Sequence, residues 1–83
     1  MSRTKIQEVI EQWPDEEFIV VDGHDDAIIG VDDASGKLVY DVYKILKTLM
    51  DDGMTRNEAY EFYEYNILNA YFGEKTPLFV YLI

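Results

Sequence analysis

Val42, Ile45, Leu46, Leu49 and Met50 stand at i, i+3, i+4, i+7 and i+8, which predicts a helix over about 42–52. Asp41 before it is a suitable N-cap, and Gly53 after it supplies the left-handed residue that closes a helix. The chain then restarts at once. Thr55 and Glu58 form a capping-box pair, flanked by Met54 and Ala59 at the positions of a hydrophobic staple, so a further helix is expected over about 56–72. Gly73 ends it, Thr76-Pro77 makes a turn, and Leu78 to Ile83 reads as a strand over about 78–82. That strand is apolar on both faces, a pattern expected of a covered strand.

The first half is assembled from shorter pieces. Thr4 and Gln7 form a capping box, and Ile6, Val9, Ile10 and Trp13 follow at helical spacing until Pro14, giving a helix over about 4–13. Ala27 to Val31 and Lys37 to Tyr40 are β-rich runs around the turn Asp32-Asp33-Ala34-Ser35-Gly36, so strands are expected over about 27–31 and 37–40 as a hairpin. Phe18 to Val21 offers one more early strand. The order α-β-β-α-α-β predicts a single α+β domain over 1–83, three helices packed with a small antiparallel or mixed sheet of three to four strands.

At 83 residues the chain buries only about 60–65% of its unfolded surface, so it relies on tight packing or on a partner. It contains no cysteine, which excludes a disulfide framework, a thiolate zinc site and a cysteine nucleophile. No apolar run approaches the roughly 20 residues of a membrane span, and the N-terminus carries charges where a signal peptide would be apolar. A cytoplasmic protein is the expectation.

The net charge of −10 is concentrated in one stretch. From Ile6 to Gly36 there are ten acids, Glu8, Glu11, Asp15, Glu16, Glu17, Asp22, Asp25, Asp26, Asp32 and Asp33, and no Lys or Arg. The other seven acids match all seven bases. Such a field repels nucleic acid and anionic membrane and favours a basic partner surface, although acidity also serves solubility.

On a 100° wheel, Ala59, Phe62, Tyr63, Asn66, Ile67 and Ala70 form the core stripe of the third helix. Tyr65, Leu68 and Phe72 form a second apolar stripe opposite. Two readings follow: an interface with a partner or a second copy, or a helix in the middle of the fold with both faces covered. Seven tyrosines fit recognition, because tyrosine gives large contact area at low entropic cost.

Catalytic constellations are lacking. Asp22-Gly23-His24-Asp25-Asp26 brings possible ligands together, yet the sixth and twelfth positions of an EF-hand loop would be Ala27 and Asp33 instead of Gly and Glu. A loose carboxylate site for a divalent cation over Asp22 to Asp33 is one alternative reading; no metal or other cofactor is assigned. His24, Ser35 and an aspartate lack the nucleophile elbow and oxyanion-hole pattern of a hydrolase. Gly30, Gly36, Gly53 and Gly73 stand too far apart for a phosphate loop.

The run Asp52-Gly53-Met54-Thr55 through Glu58-Ala59, then Phe62-x-x-Tyr65-Asn66, then Ala70-Tyr71-x-Gly73-Glu74-x-Thr76-Pro77, resembles small uncharacterised proteins common in bacteriophage genomes. Ala27-Ile28-Ile29-Gly30 fits the first strand of the same group, and the matches cover about two-thirds of the chain. The resemblance implies a phage origin and no particular activity. With the localised charge, it leads to an expected function: a non-enzymatic inhibitor of a host nucleic-acid-binding protein, of the anti-CRISPR or anti-restriction type, acting in the host bacterial cytoplasm through a DNA-mimicking surface. The ten acids would be that surface, with Tyr65, Leu68 and Phe72 as apolar interface; no direct nucleic acid or membrane contact is expected. A homodimeric accessory protein is the other alternative.

Overall fold

In a computed structural model the fold is described for residues 4–70 and 73–83. The elements are α1 (Lys5–Gln12), a 3₁₀ turn (Asp25–Ala27), β1 (Ile28–Val31), β2 (Leu38–Asp41), α2 (Val42–Asp51), α3 (Arg56–Tyr63) continued by a π-helical turn (Glu64–Leu68), and β3 (Leu78–Val80). The class is α+β with the order α-β-β-α-α-β. The sheet is mixed, in the order β1-β2-β3. β1 and β2 pair antiparallel, with Ile28 opposite Tyr40 and Val31 opposite Leu38, and β2 and β3 pair parallel, with Tyr40 opposite Phe79. A parallel pair needs a long crossover, and α2 with α3 provides it.

Local chemistry sets the helix ends. The Thr4 hydroxyl accepts from the Gln7 amide at 3.1 Å and the Gln7 carboxamide accepts from the Thr4 amide at 3.1 Å, so the capping box is complete; Thr55 and Glu58 form its counterpart on α3. Asp41, the last residue of β2, turns the chain directly into α2, its carboxylate accepting from the Tyr43 amide at 3.0 Å. At the other end of α2, Gly53 has φ +108°, its amide donates to the Met50 carbonyl and the Met54 amide donates to the Leu49 carbonyl. This is the Schellman arrangement, and it directs Met54 back onto the core.

The core comprises Val9, Ala27, Ile28, Leu38, Tyr40, Val42, Ile45, Leu46, Leu49, Ala59, Tyr63 and Ile67, contributed by every helix and by the first two strands. Phe79 of β3 packs against it, with its ring 5.8 Å from those of Tyr40 and Tyr63.

Three expectations are corrected. Phe18 to Val21 forms no strand; the Val21 amide donates instead to the Tyr40 hydroxyl at 2.8 Å, so a side chain takes the place of a ladder partner. The last strand is not covered. With β2 central, β3 lies on an edge, Leu78 is exposed, and Tyr81, Leu82 and Ile83 continue beyond the strand as exposed residues. The third helix does not run as one α-helix to about 72. After Tyr63 it widens, the Asn69 amide donating to the Glu64 carbonyl five residues back, while the Asn66 carboxamide donates to the Phe62 carbonyl at 3.1 Å. Ala59, Tyr63 and Ile67 are buried, and Phe62 and Asn66, expected in the core stripe, are exposed.

Candidate functional site

The ten acids of the Ile6–Gly36 stretch are all exposed or half-buried. Glu8 and Glu11 lie on α1, and Asp15, Glu16 and Glu17 lie on the segment that follows it. Beyond them, the fold sorts the remaining acids into two groups at the ends of β1, separated by about 13 Å of strand.

One group surrounds His24. Asp22 and Asp25 flank it in sequence, and the fold adds Asp52 from the C-terminal end of α2; all three act on its charge. His24 is only 8% exposed, and its Nδ1 has no hydrogen-bond partner. Burial pushes the imidazole below its usual range, and the three carboxylates pull the other way. With burial the larger effect, His24 is held neutral beside the aspartates. It lines, with Thr4, Lys5, Gly23, Asp26 and Thr48, a shallow cavity of about 620 Å³. Lys5 crosses this end of the molecule, donating to the Asp26 carbonyl at 2.8 Å.

The other group lies around the hairpin loop. Asp32 holds the loop together: its carboxylate accepts from the Ser35 amide at 2.9 Å and from the Ser35 hydroxyl at 2.6 Å, which depresses its pKa. Lys75 reaches in from the far end of the chain to within 2.6 Å of Glu16, and also donates to the Ser35 and Gly36 carbonyls. Glu17 and Glu74 share a hollow with the same lysine.

A stretch without bases in sequence thus acquires them in space. Lys5 and Lys75 reach into it, Lys37 lowers the pKa of Asp32, and Asp52 and Glu74 join the acids from outside the stretch. Sequence reading missed Asp52 and Glu74, whose only local signal was a position at a helix end or turn. Among the described residues, no group of three or more His, Asp or Glu side chains is placed to hold a metal ion, and no helix is long and apolar enough to cross a membrane. Chemically, the arrangement presents exposed and half-buried carboxylates on α1, on the segment after it and at both ends of β1.

The second apolar stripe is placed in part. Tyr65 is 76% exposed and Leu68 41% exposed, so the reading that both faces of the helix are covered does not hold for them. The π-helical turn carries them outward while Ile67, next to Leu68, is 5% exposed. Phe72 lies outside the described residues.

In comparisons with known proteins, no family model, no curated protein and no solved structure matches the chain.

Proposed function

We propose that the chain is a non-enzymatic binding protein of phage type that inhibits a nucleic-acid-binding protein of its bacterial host, of the anti-CRISPR or anti-restriction kind, acting in the host cytoplasm. The observation that carries the reading is the arrangement of exposed carboxylates on α1 and at both ends of β1, on a backbone held by a capping box, a hairpin and the core. A surface that binds nucleic acid presents lysines and arginines to phosphates, and a fixed array of carboxylates occupies the same groove by charge complementarity and fast steered association. The resemblance of 52–77 to phage-encoded proteins supports the same direction. The reading needs no metal, cofactor or nucleophile.

One observation favours a second reading, a self-associating accessory protein: Tyr65 and Leu68 are both exposed on the π-helical turn. An infection assay separates the two. Expression of the chain in a bacterium carrying a CRISPR–Cas or restriction system restores plaque formation by a targeted phage under the inhibitor reading, and replacing Glu17, Asp22, Asp26 and Asp33 by lysine abolishes the effect. Unchanged restriction across a panel of such systems contradicts it.

A further inference from the structure

Three tyrosines from three different elements meet in one surface pocket of about 280 Å³. Tyr43 comes from α2, Tyr60 from α3 and Tyr81 from the segment after β3; Leu46, almost fully buried, contributes from beneath. Tyr43 and Tyr81 meet edge to face, with ring centroids 5.1 Å apart and planes at 66°. Tyr60 interacts through its hydroxyl with both Tyr81 and Glu64, and those two neighbours raise its pKa. Glu61 joins the wall. Inward, Tyr60 continues to Tyr63 at 6.2 Å and Tyr63 to Phe79 at 5.8 Å, so the rings are held from the core outward.

We propose that this pocket is a cation-binding cage that takes the guanidinium or ammonium group of one arginine or lysine side chain from a basic partner. An aromatic ring attracts a cation to its electron-rich face, tyrosine is among the better residues for this, and three tyrosines line the one pocket. Two carboxylates, Glu61 in the wall and Glu64 at the Tyr60 hydroxyl, add negative potential, against one base, Arg56, which also lines the pocket. The net charge of −10 raises the local concentration of cations further. An anionic guest would meet two carboxylates, and a purely apolar one would strand the polar groups of the wall. The inference deepens the basic-partner reading and rests on it for the identity of the partner, but binding of the cation itself needs only the pocket.

The test uses small probes and the intact chain, so it is independent of any partner. Acetyl-arginine methylamide is titrated against the protein at constant ionic strength, followed by tyrosine ring resonances in NMR, with the citrulline analogue as the uncharged isostere. The arginine probe shifts the Tyr43, Tyr60 and Tyr81 rings saturably and the citrulline probe does not. Tyr43→Leu or Tyr60→Leu weakens binding about two- to fivefold, Tyr43→Phe retains it, and Tyr65→Leu, outside the pocket, leaves it unchanged. Arg56→Ala removes the one base of the wall and tightens binding of the cation; weaker binding of the arginine probe in that variant would overturn the cage. Equal binding of citrulline, no saturable shift, or Leu variants that are folded by amide spectrum yet bind as wild type would also overturn it. Failure here leaves the carboxylate surface intact as a reading, because the lysine reversals at Glu17, Asp22, Asp26 and Asp33 touch none of the cage residues.

Discussion

Lys75 and Glu16, 59 positions apart in sequence, are joined by a 2.6 Å ion pair beside the hairpin loop. The lysine closes the hairpin against the segment after α1 and neutralises part of the acidic surface at that point. Both side chains are partly exposed, so the pair itself is worth about 0.2–1 kcal/mol, and Lys75→Ala should lower stability by about that amount in urea unfolding at low salt and by less at 1 M salt.

Gly36 sits under that pair with φ +68°, and a Cβ there would stand 2.6 Å from Lys75 Nζ and 2.8 Å from Glu16 Oε2. Gly36→Ala should therefore cost about 1–2 kcal/mol, chiefly for the left-handed backbone, the flexible lysine and glutamate tips moving aside at small cost. Gly30→Ala, with open space at its Cβ and no positive φ, should cost less. Paired urea titrations of the two variants check the contrast.

His24 makes stability depend on pH. Its folded pKa lies below the ordinary 6.5 because of burial, so the unfolded chain takes up a proton first as pH falls. Stability from the neutral imidazole is complete above about pH 6.5 and is lost as pH falls from there toward the lowered folded value. Unfolding free energies of wild type and His24→Gln between pH 8 and pH 5 should show a decline in the first and a flatter profile in the second.

Tyr40, fully buried, accepts the Val21 amide through its hydroxyl at 2.8 Å. Tyr40→Phe leaves that half-buried amide without its partner and should cost about 1–3 kcal/mol. Hydrogen exchange at Val21 should accelerate more than exchange in α2, a contrast that native-state exchange resolves directly.

Ile67 and Leu68 are adjacent in sequence, yet Ile67 is buried and Leu68 exposed. Ile67→Asp puts a charge into the core and should unfold the domain, whereas Leu68→Asp should change stability by less than about 0.5 kcal/mol. If the exposed stripe is an interface, Leu68→Asp also weakens self-association, read by light scattering, or partner capture from lysate; association unchanged in both rules out an interface at Leu68.

The fold was legible wherever a signal was local. Thr4 with Gln7, Thr55 with Glu58, Asp41 before Val42 and Gly53 after Asp52 are caps that act within a few residues, and the helices begin and end beside them. What depends on tertiary partners was not legible. Phe18 to Val21 has strand-forming residues, but its binding partner is a tyrosine hydroxyl 19 positions away. Leu78 to Ile83 has the pattern of a covered strand, but the sheet offers it a partner on one side only. Of the expected core stripe, Ala59, Tyr63 and Ile67 are buried, whereas Phe62 and Asn66 are exposed, and the widening after Tyr63 had no signal in the helical spacing. Of the candidate site, the acids were readable as a charge run, while Lys75 entering among them and Asp52 joining His24 are long-range consequences of the fold.

Under the proposed function, the exposed carboxylates carry binding to a protein whose natural ligand is nucleic acid. The most direct measurement is capture by the immobilised chain from lysate of a bacterium carrying defined defence systems, with elution first by duplex DNA and then by 1 M salt. Carboxylate-carried binding means that a nucleic-acid-binding protein is retained, is displaced by DNA, and is not retained by the variant with Glu17, Asp22, Asp26 and Asp33 replaced by lysine. Retention of the same protein by that variant, or retention insensitive to both DNA and salt, would contradict it.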